Sequence, residues 1–431
     1  MKSQGLSILH ISTTDNKGGS GRSAYRIHSG LRDIGVTSRM LVGQKVTKDP
    51  DVDSISKGLT KLLDRMCGEI LKCFSLQSVF YPSSFYLIKH KWFKEADIVQ
   101  LYNLHGNYFT HLALPLINKY KPIVWRLSDM WPMTGHCAYS YECEKWKSGC
   151  GNCPDLEEYP RLRKDKTAFL WKLKCWVTNK LQNMVIVAPS LWIKKNVEES
   201  PILRKFPVYH IPNGIDTNVF KEKDKKKARE FLGLDSHSKV ILFISQDFNV
   251  DKRKGGRYLI EALSTIDKAI QKNIILLMVG GSDNENLNDF SFRVFKAGYI
   301  TSHEFMVNLY SASDIMVLPT LAENLPNTIM ESMACGTPVV AFDVGGVPEV
   351  ITHMHNGYLA KVKDTKDLSN GIKLLLTESE LLNDMKICGR KLIEERFTKD
   401  AEVRSFLNLY YHITGGSVNL VNKQTRPRIS I

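Results

Sequence analysis

The chain alternates short, almost unbroken apolar runs with longer stretches in which apolar residues recur at helical spacing. The runs are apolar on both faces, as strands buried in parallel sheets tend to be. In the first half they are LSILHIST (6–13), TSRMLVG (37–43), DIVQLYNL (97–104), PIVWRLS (122–128) and MVIVAPS (184–190). In the second half KVILFIS (239–245), NIILLMVGG (273–281), DIMVLPT (314–320) and TPVVAFD (337–343) repeat the theme, with helical segments such as RYLIEALSTI between them. Strands alternating with helices predict βαβ units, hence an α/β fold.

Two such series in one chain predict two Rossmann-like, doubly wound domains with a cleft between them. The break falls near IPNGID (211–216) and KEKDKKKARE (221–230), the latter read as a solvated helix face. The expected plan is a first domain over 1–211 with a cysteine-rich insert at about 135–155, and a second over 212–390. Residues 391–415 are expected to form a terminal helix returning to the first domain, within the pattern RKLIEERFTKDAEVRSFLNLYYH (390–412), read as one long helix. A tail at 416–431 has no periodic pattern and is expected to be loose.

Composition narrows this picture. A chain of 431 residues that is 43% hydrophobic can bury two cores. Lys+Arg 59 against Asp+Glu 45 gives a net charge of +14, which favours an anionic partner: nucleic acid, lipid head groups or a phosphorylated small molecule. MKSQGLSILHIST lacks the apolar core of a secretory signal, and no window supplies the roughly 18 apolar residues of a membrane span. The expectation is a cytoplasmic chain, with peripheral attachment to the inner face of the cell membrane left open. Nine cysteines in a reducing compartment should be thiols for the most part.

Ligands of open parallel sheets sit outside the carboxyl ends of strands, so chemistry is sought in the loops that follow them. After the first strand comes TDNKGGSGRSAYRI (14–27), where Gly18, Gly19 and Gly21 precede a helix whose free N–H groups suit phosphate. It fits neither the P-loop nor the GxGxxG spacing, and a plain flexible turn reads equally well. ENLPNTIMESMACGTP (323–338) is more specific. Glu323 falls in the loop after a strand, Pro326 suits a helix start and Gly336 its end. On one helix, eight residues would set Glu323 and Glu331 about 80° apart. A loop position and a helix position instead let two carboxylates grip hydroxyls at different ends of one ligand. Two unrelated surface glutamates is the competing reading.

The segment ENLPNTIMESMACGTPVVAFDVGGVPEVI resembles the E-x7-E donor-binding segment of the retaining, GT-B-fold glycosyltransferases of family 4. The same family carries PNGID…F at the domain junction, here Pro212–Asp216 and Phe220, a glycine pair after the first strand, here Gly18–Gly19, and KG, here Lys254–Gly255. The resemblance runs from about Ile8 to Tyr411. It implies that Glu331 bonds the nucleotide ribose and that Glu323 holds a sugar hydroxyl. Asn324, Leu325 and Asn327 would contact sugar and phosphate, and Lys254 with Arg253 the diphosphate. Gly19 would let the acceptor-side loop approach.

Two departures stand out. The family's arginine ahead of that lysine is missing at Ser245–Gln246, which leaves Arg253 to share its task. The family's histidine after PIVWRLS is replaced by Ser128–Asp129, which makes Asp129 and His105, in NLHGN, candidates on the reacting side. The resemblance further implies same-face attack on the sugar with no metal required. The DxD Asp51-Val-Asp53 reads as loop acidics.

The stretch DMWPMTGHCAYSYECEKWKSGCGNCPD holds Cys137, Cys143, Cys150 and Cys153, beside His136. Four thiolates can close a structural, tetrahedral zinc site. Plain or redox-sensitive thiols are the alternative, and both stay open. The pattern W-P-x-T-G-x-C…C…G-C-x-x-C-P resembles an insert of the bacterial polysaccharide (colanic acid and O-antigen type) assembly subset of these transferases. His136 and Asp129 could line an acceptor side. TAFLWKLKCWVTNKL (167–181) mixes aromatics with lysines, readable as a membrane-surface helix or, preferably, as core packing.

The function expected is transfer of a sugar from a nucleotide diphosphate sugar to a glycan or lipid-linked glycan acceptor of a bacterial surface polysaccharide. A non-catalytic glycan-binding protein and a nucleic-acid-binding module are the rivals. The cysteine spacings do not match nucleic-acid-binding fingers, so no nucleic-acid partner is expected.

Overall fold

The structure is a computed structural model that describes residues 5–245, 251–280 and 291–415. Gln246, the Gly281 end of one expected strand and the 416–431 tail lie outside the described residues.

Among the described residues the strands form two wholly parallel sheets. The first contains β1 (Ser7–Thr14), β2 (Thr37–Gln44), β3 (Val52–Ser54), β4 (Ile98–Leu101), β5 (Ile123–Arg126), β6 (Met184–Ala188) and β7 (Val208–His210) in the order β3-β2-β1-β4-β5-β6-β7. The second contains β8 (Lys239–Ile244), β9 (Ile274–Val279), β10 (Arg293–Gly298), β11 (Ile315–Leu318), β12 (Val339–Phe342) and β13 (Gly357–Ala360) in the order β10-β9-β8-β11-β12-β13.

Alternate residues feed opposite faces. Leu9 and Ile11 of β1 enter one cluster with Val99 and Leu101, while Ile8 joins Met40, Val42 and Ile98 on the other. Each sheet reverses strand order once, between β1 and β4 and between β8 and β11. A crevice opens at such a switch point, so the loops after these four strands are where a ligand should meet the fold.

Four strands were not foreseen: β3, β7, β10 and β13. All four are sheet edges. An edge strand needs no double-sided apolar run, and β10 carries exposed positions along its length. Asp53 of the DxD therefore lies on an edge strand, not in a loop. It accepts Lys57 and the Ser54 N–H, while Asp51 faces Arg32 at 3.2 Å.

The expected single helix over 390–412 is two, Ser379–Arg396 and Lys399–Thr414. Ile215 explains the break. Its N–H donates to Phe397 O at 2.7 Å and its carbonyl accepts from Lys399 N at 2.9 Å, so the two chain crossings at the junction pair like strands. Gly214 lies so close that a Cβ there would be 2.3 Å from Thr398 O. Thr398 Oγ1 then caps the last helix on Ala401 N–H. Val403, Phe406, Leu409 and Tyr410 of that helix pack into the core beneath the first sheet. The 221–230 charge run is not wholly solvated either, because Arg229 is buried with Nη2 on Asp314 at 2.9 Å.

Candidate functional site

The loops after β8 and β11 bring three charged groups to one point. Arg253 and Lys254 sit in a short 3-10 turn, Lys252–Lys254, and Glu323 in the loop after β11. Glu323 Oε2 accepts Lys254 Nζ at 2.8 Å and Arg253 Nη1 at 2.9 Å. Arg253 Nη1 also reaches Ala322 O at 3.1 Å.

Burial alone would raise the Glu323 carboxyl, but Lys254 and Arg253 overcome it and hold it at about 2. Burial works against the Arg253 guanidinium too, and Glu323 more than offsets it. Asp251 Oδ2 also faces Arg253 Nη2 at 3.4 Å, so the two cations are matched by two carboxylates.

Glycines set the approach of these loops. Gly255 has φ +71°, and a Cβ there would fall 1.8 Å from Pro319 O. Gly345 and Gly346, after β12, lie under the Glu323–Asn324 backbone so closely that their Cβ atoms would fall 1.9 and 1.8 Å from its carbonyls.

Glu331 projects from the Asn327–Ala334 helix, which begins after Pro326 as the sequence predicts. It is buried, and its Oε2 accepts Tyr310 OH at 2.8 Å. Burial first, then Glu331, raise the Tyr310 phenol well above its ordinary range, which keeps it a donor. Arg22, in the first turns of helix α1 (Gly18–Asp33), acts on Tyr310 from the first domain.

Asn324 bridges the cleft. Its Nδ2 donates to Leu127 O and Ser128 O, both at 3.1 Å, and its Oδ1 takes Ser190 Oγ at 2.5 Å. Asn327 Oδ1 accepts Asn213 Nδ2 at 3.0 Å, and its Nδ2 donates to Ser23 Oγ at 3.3 Å. Leu325 buries its side chain in the second-domain core and its carbonyl accepts Asn213 Nδ2, which leaves its backbone N–H for the ligand contact expected of this loop.

Gly19 lies in the first turn of α1, whose start has no side-chain cap, and a Cβ there would meet nothing within 4 Å. The backbone N–H groups at this end stay open for an anion. Gly21 differs, because its Cβ would clash with Thr14 Oγ1 at 2.1 Å.

His105 and Asp129 are joined. His105 Nε2 lies 2.8 Å from Asp129 Oδ2, which also accepts Asn103 Nδ2 at 3.1 Å, and Trp131 N–H holds Oδ1 at 2.9 Å. Between this pair and the Arg253 cluster sits Tyr139. Its ring lies 5.3 Å from the Arg253 guanidinium, stacks near Trp192, and its phenol is raised by burial and then by Glu323, with Asp129 a further contribution.

Tyr139 comes from the cysteine-rich insert, which therefore walls the site. It was missed because nothing local marks one tyrosine among several. In the sequence Asn213 is marked only by its place in the junction motif, and Tyr310 carries no local signal. Tyr139→Ala is expected to weaken binding of a nucleoside diphosphate at this cluster by about three- to tenfold in titration calorimetry.

The four cysteine thiols lie close enough to act on one another: Cys150 and Cys153 on Cys137, and Cys143 on both Cys150 and Cys153. Among the described residues no three His, Cys, Asp or Glu side chains are placed to hold a metal. Without a cation beside them, burial pushes the Cys137 thiol up to about 12 and Cys150 to about 11. Cys150 Sγ accepts Gly135 N–H at 3.2 Å, and Cys153 Sγ donates to Asp155 O at 3.3 Å. His136 is buried in the insert, its Nδ1 2.9 Å from Pro160 O and its Nε2 3.4 Å from Cys153 Sγ.

Two Rossmann-like parallel sheets facing one another, with the charged loops at their switch points, make this a GT-B glycosyltransferase fold. Residues 224–392 match the family described as glycosyl transferases group 1. The chain is 27% identical over 209 residues to N-acetyl-alpha-D-glucosaminyl L-malate synthase of Bacillus anthracis, covering 47% of this chain and 52% of that protein. It is 31% identical over 198 residues to the N,N'-diacetylbacillosaminyl-diphospho-undecaprenol alpha-1,3-N-acetylgalactosaminyltransferase of Campylobacter jejuni, covering 44% and 50%. The chain thus spans about half the length of these curated relatives. Anabaena Alr3699/HepE, solved in complex with UDP, superposes over 94% of this chain and 100% of that one with a TM-score of 0.63 and 18% identity.

Proposed function

We propose that the chain is a retaining glycosyltransferase that moves a sugar from a nucleotide diphosphate sugar onto a growing, lipid-linked bacterial surface polysaccharide. The observation that carries this reading is the Arg253–Lys254–Glu323 cluster at the β8/β11 switch point, with Glu331 and Tyr310 on the adjoining helices. The Campylobacter relative's name includes a diphospho-undecaprenol, and the Anabaena structure holds UDP; both favour the same substrate classes here.

When the bond between the anomeric carbon and the diphosphate breaks, negative charge grows on the leaving group. Arg253, Lys254 and the open N–H groups of α1 stand to meet it, a preorganised electrostatic contribution that does the work a metal could do. Glu323 keeps both cations directed, and its other oxygen is available to a sugar hydroxyl. Glu331, steadied by Tyr310, takes the ribose hydroxyls. The acceptor enters on the His105–Asp129 side and attacks the face the diphosphate leaves, which receives the acceptor's proton. No side chain is assigned as nucleophile.

A thermal-shift screen of nucleoside diphosphate sugars is expected to single out one donor by a concentration-dependent rise in midpoint. Turnover of that donor, radiolabelled, with membrane lipid extract should then yield an anomerically retained product. No stabilisation by any nucleoside diphosphate sugar would overturn the reading and favour a glycan-binding role.

A further inference from the structure

Helix α2 (Gly58–Cys73) is docked on the first domain by its polar side. Asp64 is its buried residue, with Oδ1 accepting the Ser83 N–H at 3.0 Å, and Gly68 lies against Tyr81. Leu59, Leu62, Leu63, Met66 and Ile70, continued by Phe74 just past the helix end, are between 37% and 71% exposed. At about 100° per residue these six fall in one stripe roughly 120° wide, pointing away from the domain. An ordinary surface helix does the reverse, and a contiguous exposed apolar stripe marks an interaction surface.

Basic groups accompany the stripe. Lys61, Arg65 and Lys72 are exposed together along one flank, and Glu69 is the helix's exposed acid. The turn after the helix is tied to a basic segment: Ser75 Oγ accepts the N–H groups of Arg163 and Lys164 at 3.0 and 2.8 Å. That segment leads into the Thr167–Asn179 helix, the one the sequence offered as a membrane candidate. That helix buries Lys174 on Trp131 O and shows solvent only Phe169 and Trp176 among its large apolar side chains. No helix among the described residues is long and apolar enough to cross a membrane.

We propose that α2 lies on an anionic lipid bilayer, its apolar stripe sunk to the head-group and acyl boundary and its basic flank against the head groups. Charge favours this occupant over a second copy. Pairing two copies through the stripe would bring two chains of net charge +14 together and set their basic flanks side by side, whereas the same charge draws each chain to an anionic surface. The proposal goes beyond sugar transfer and does not depend on it.

The test is co-sedimentation of the full chain with phosphatidylcholine vesicles, with and without an equal part of phosphatidylglycerol. The wild type is expected to bind the mixed vesicles at least about tenfold more tightly than the neutral ones. Leu62→Ser/Met66→Ser/Ile70→Ser should weaken that binding about tenfold or more, while its circular dichroism and nucleotide-sugar thermal shift stay as in the wild type. Lys61→Glu/Arg65→Glu/Lys72→Glu should abolish the preference for anionic lipid. Met66→Trp should give a blue-shifted emission on the mixed vesicles, a readout independent of the serine variant's folding. Wild-type binding that the serine substitutions leave intact, an unshifted Met66→Trp spectrum, or a wild type that stays in the supernatant would each overturn the proposal. So would a dimer that the serine variant dissolves, since the stripe would then belong to a second copy.

Discussion

Replacing Glu323 with glutamine is expected to lower kcat on the order of 100-fold while leaving nucleoside diphosphate affinity within about threefold. Glu323 Oε2 anchors Arg253 and Lys254 at once, at 2.9 and 2.8 Å. A neutral amide cannot balance two cations, so they turn toward water and must reorganise before they meet the departing diphosphate. That cost appears at the transition state and not on binding.

The same variant should report the ion pairs through pH. The Glu323 carboxyl is held at about 2 against an ordinary 4.5, so its ionised form adds stability that is fully present above about pH 4.5 and fades as pH falls toward 2. A depression of that size corresponds to a contribution on the order of 3 kcal/mol. Urea unfolding of wild type and Glu323→Gln across this range should therefore show a gap that is widest at neutral pH and closes in acid. Unchanged kcat, or a gap that ignores pH, would remove Glu323 from the centre of the site.

Glu331→Ala is expected to act on the opposite end of the donor. We expect the Kd for the nucleoside diphosphate to rise about ten- to hundredfold, with kcat at saturation within about fivefold. The Tyr310 hydroxyl, 2.8 Å from Oε2, holds the carboxylate in one orientation and leaves its second oxygen for the ribose of the proposed donor. Tyr310→Phe should consequently weaken binding by only about three- to fivefold. Titration calorimetry separates the two variants. An Glu331→Ala protein that binds nucleotide normally but turns over slowly would place this carboxylate at the sugar, and the donor would lie the other way round.

Much of this arrangement is readable from the string of residues, and the failures have a common cause. Central strands announce themselves because they are covered on both faces; the edge strands β3, β7, β10 and β13 do not, because one side meets solvent. Pro326 and Gly336 place Glu331 on a helix and Glu323 ahead of it, since turn and helix-end preferences act within a few residues. The long helix expected over 390–412 fails where Ile215, far away in the chain, pairs with Phe397 and Lys399. The Leu325 side chain points inward because packing, not proximity in sequence, decides its direction. The four cysteines are brought near one another by the folding of the insert, which spacing alone does not dictate.

The order of apolar runs, the loop-then-helix setting of the two glutamates and the basic character of the chain are local properties, and the residues alone carry them. The meeting of Lys254 with Glu323, 69 residues apart, comes only from crossover connections that return two strands to one switch point. Tyr139 against Arg253, Asn324 across the cleft and the outward stripe of α2 are likewise decided by folding. Periodicity tells that a helix has an apolar side, but only its neighbours tell whether that side faces a core or water.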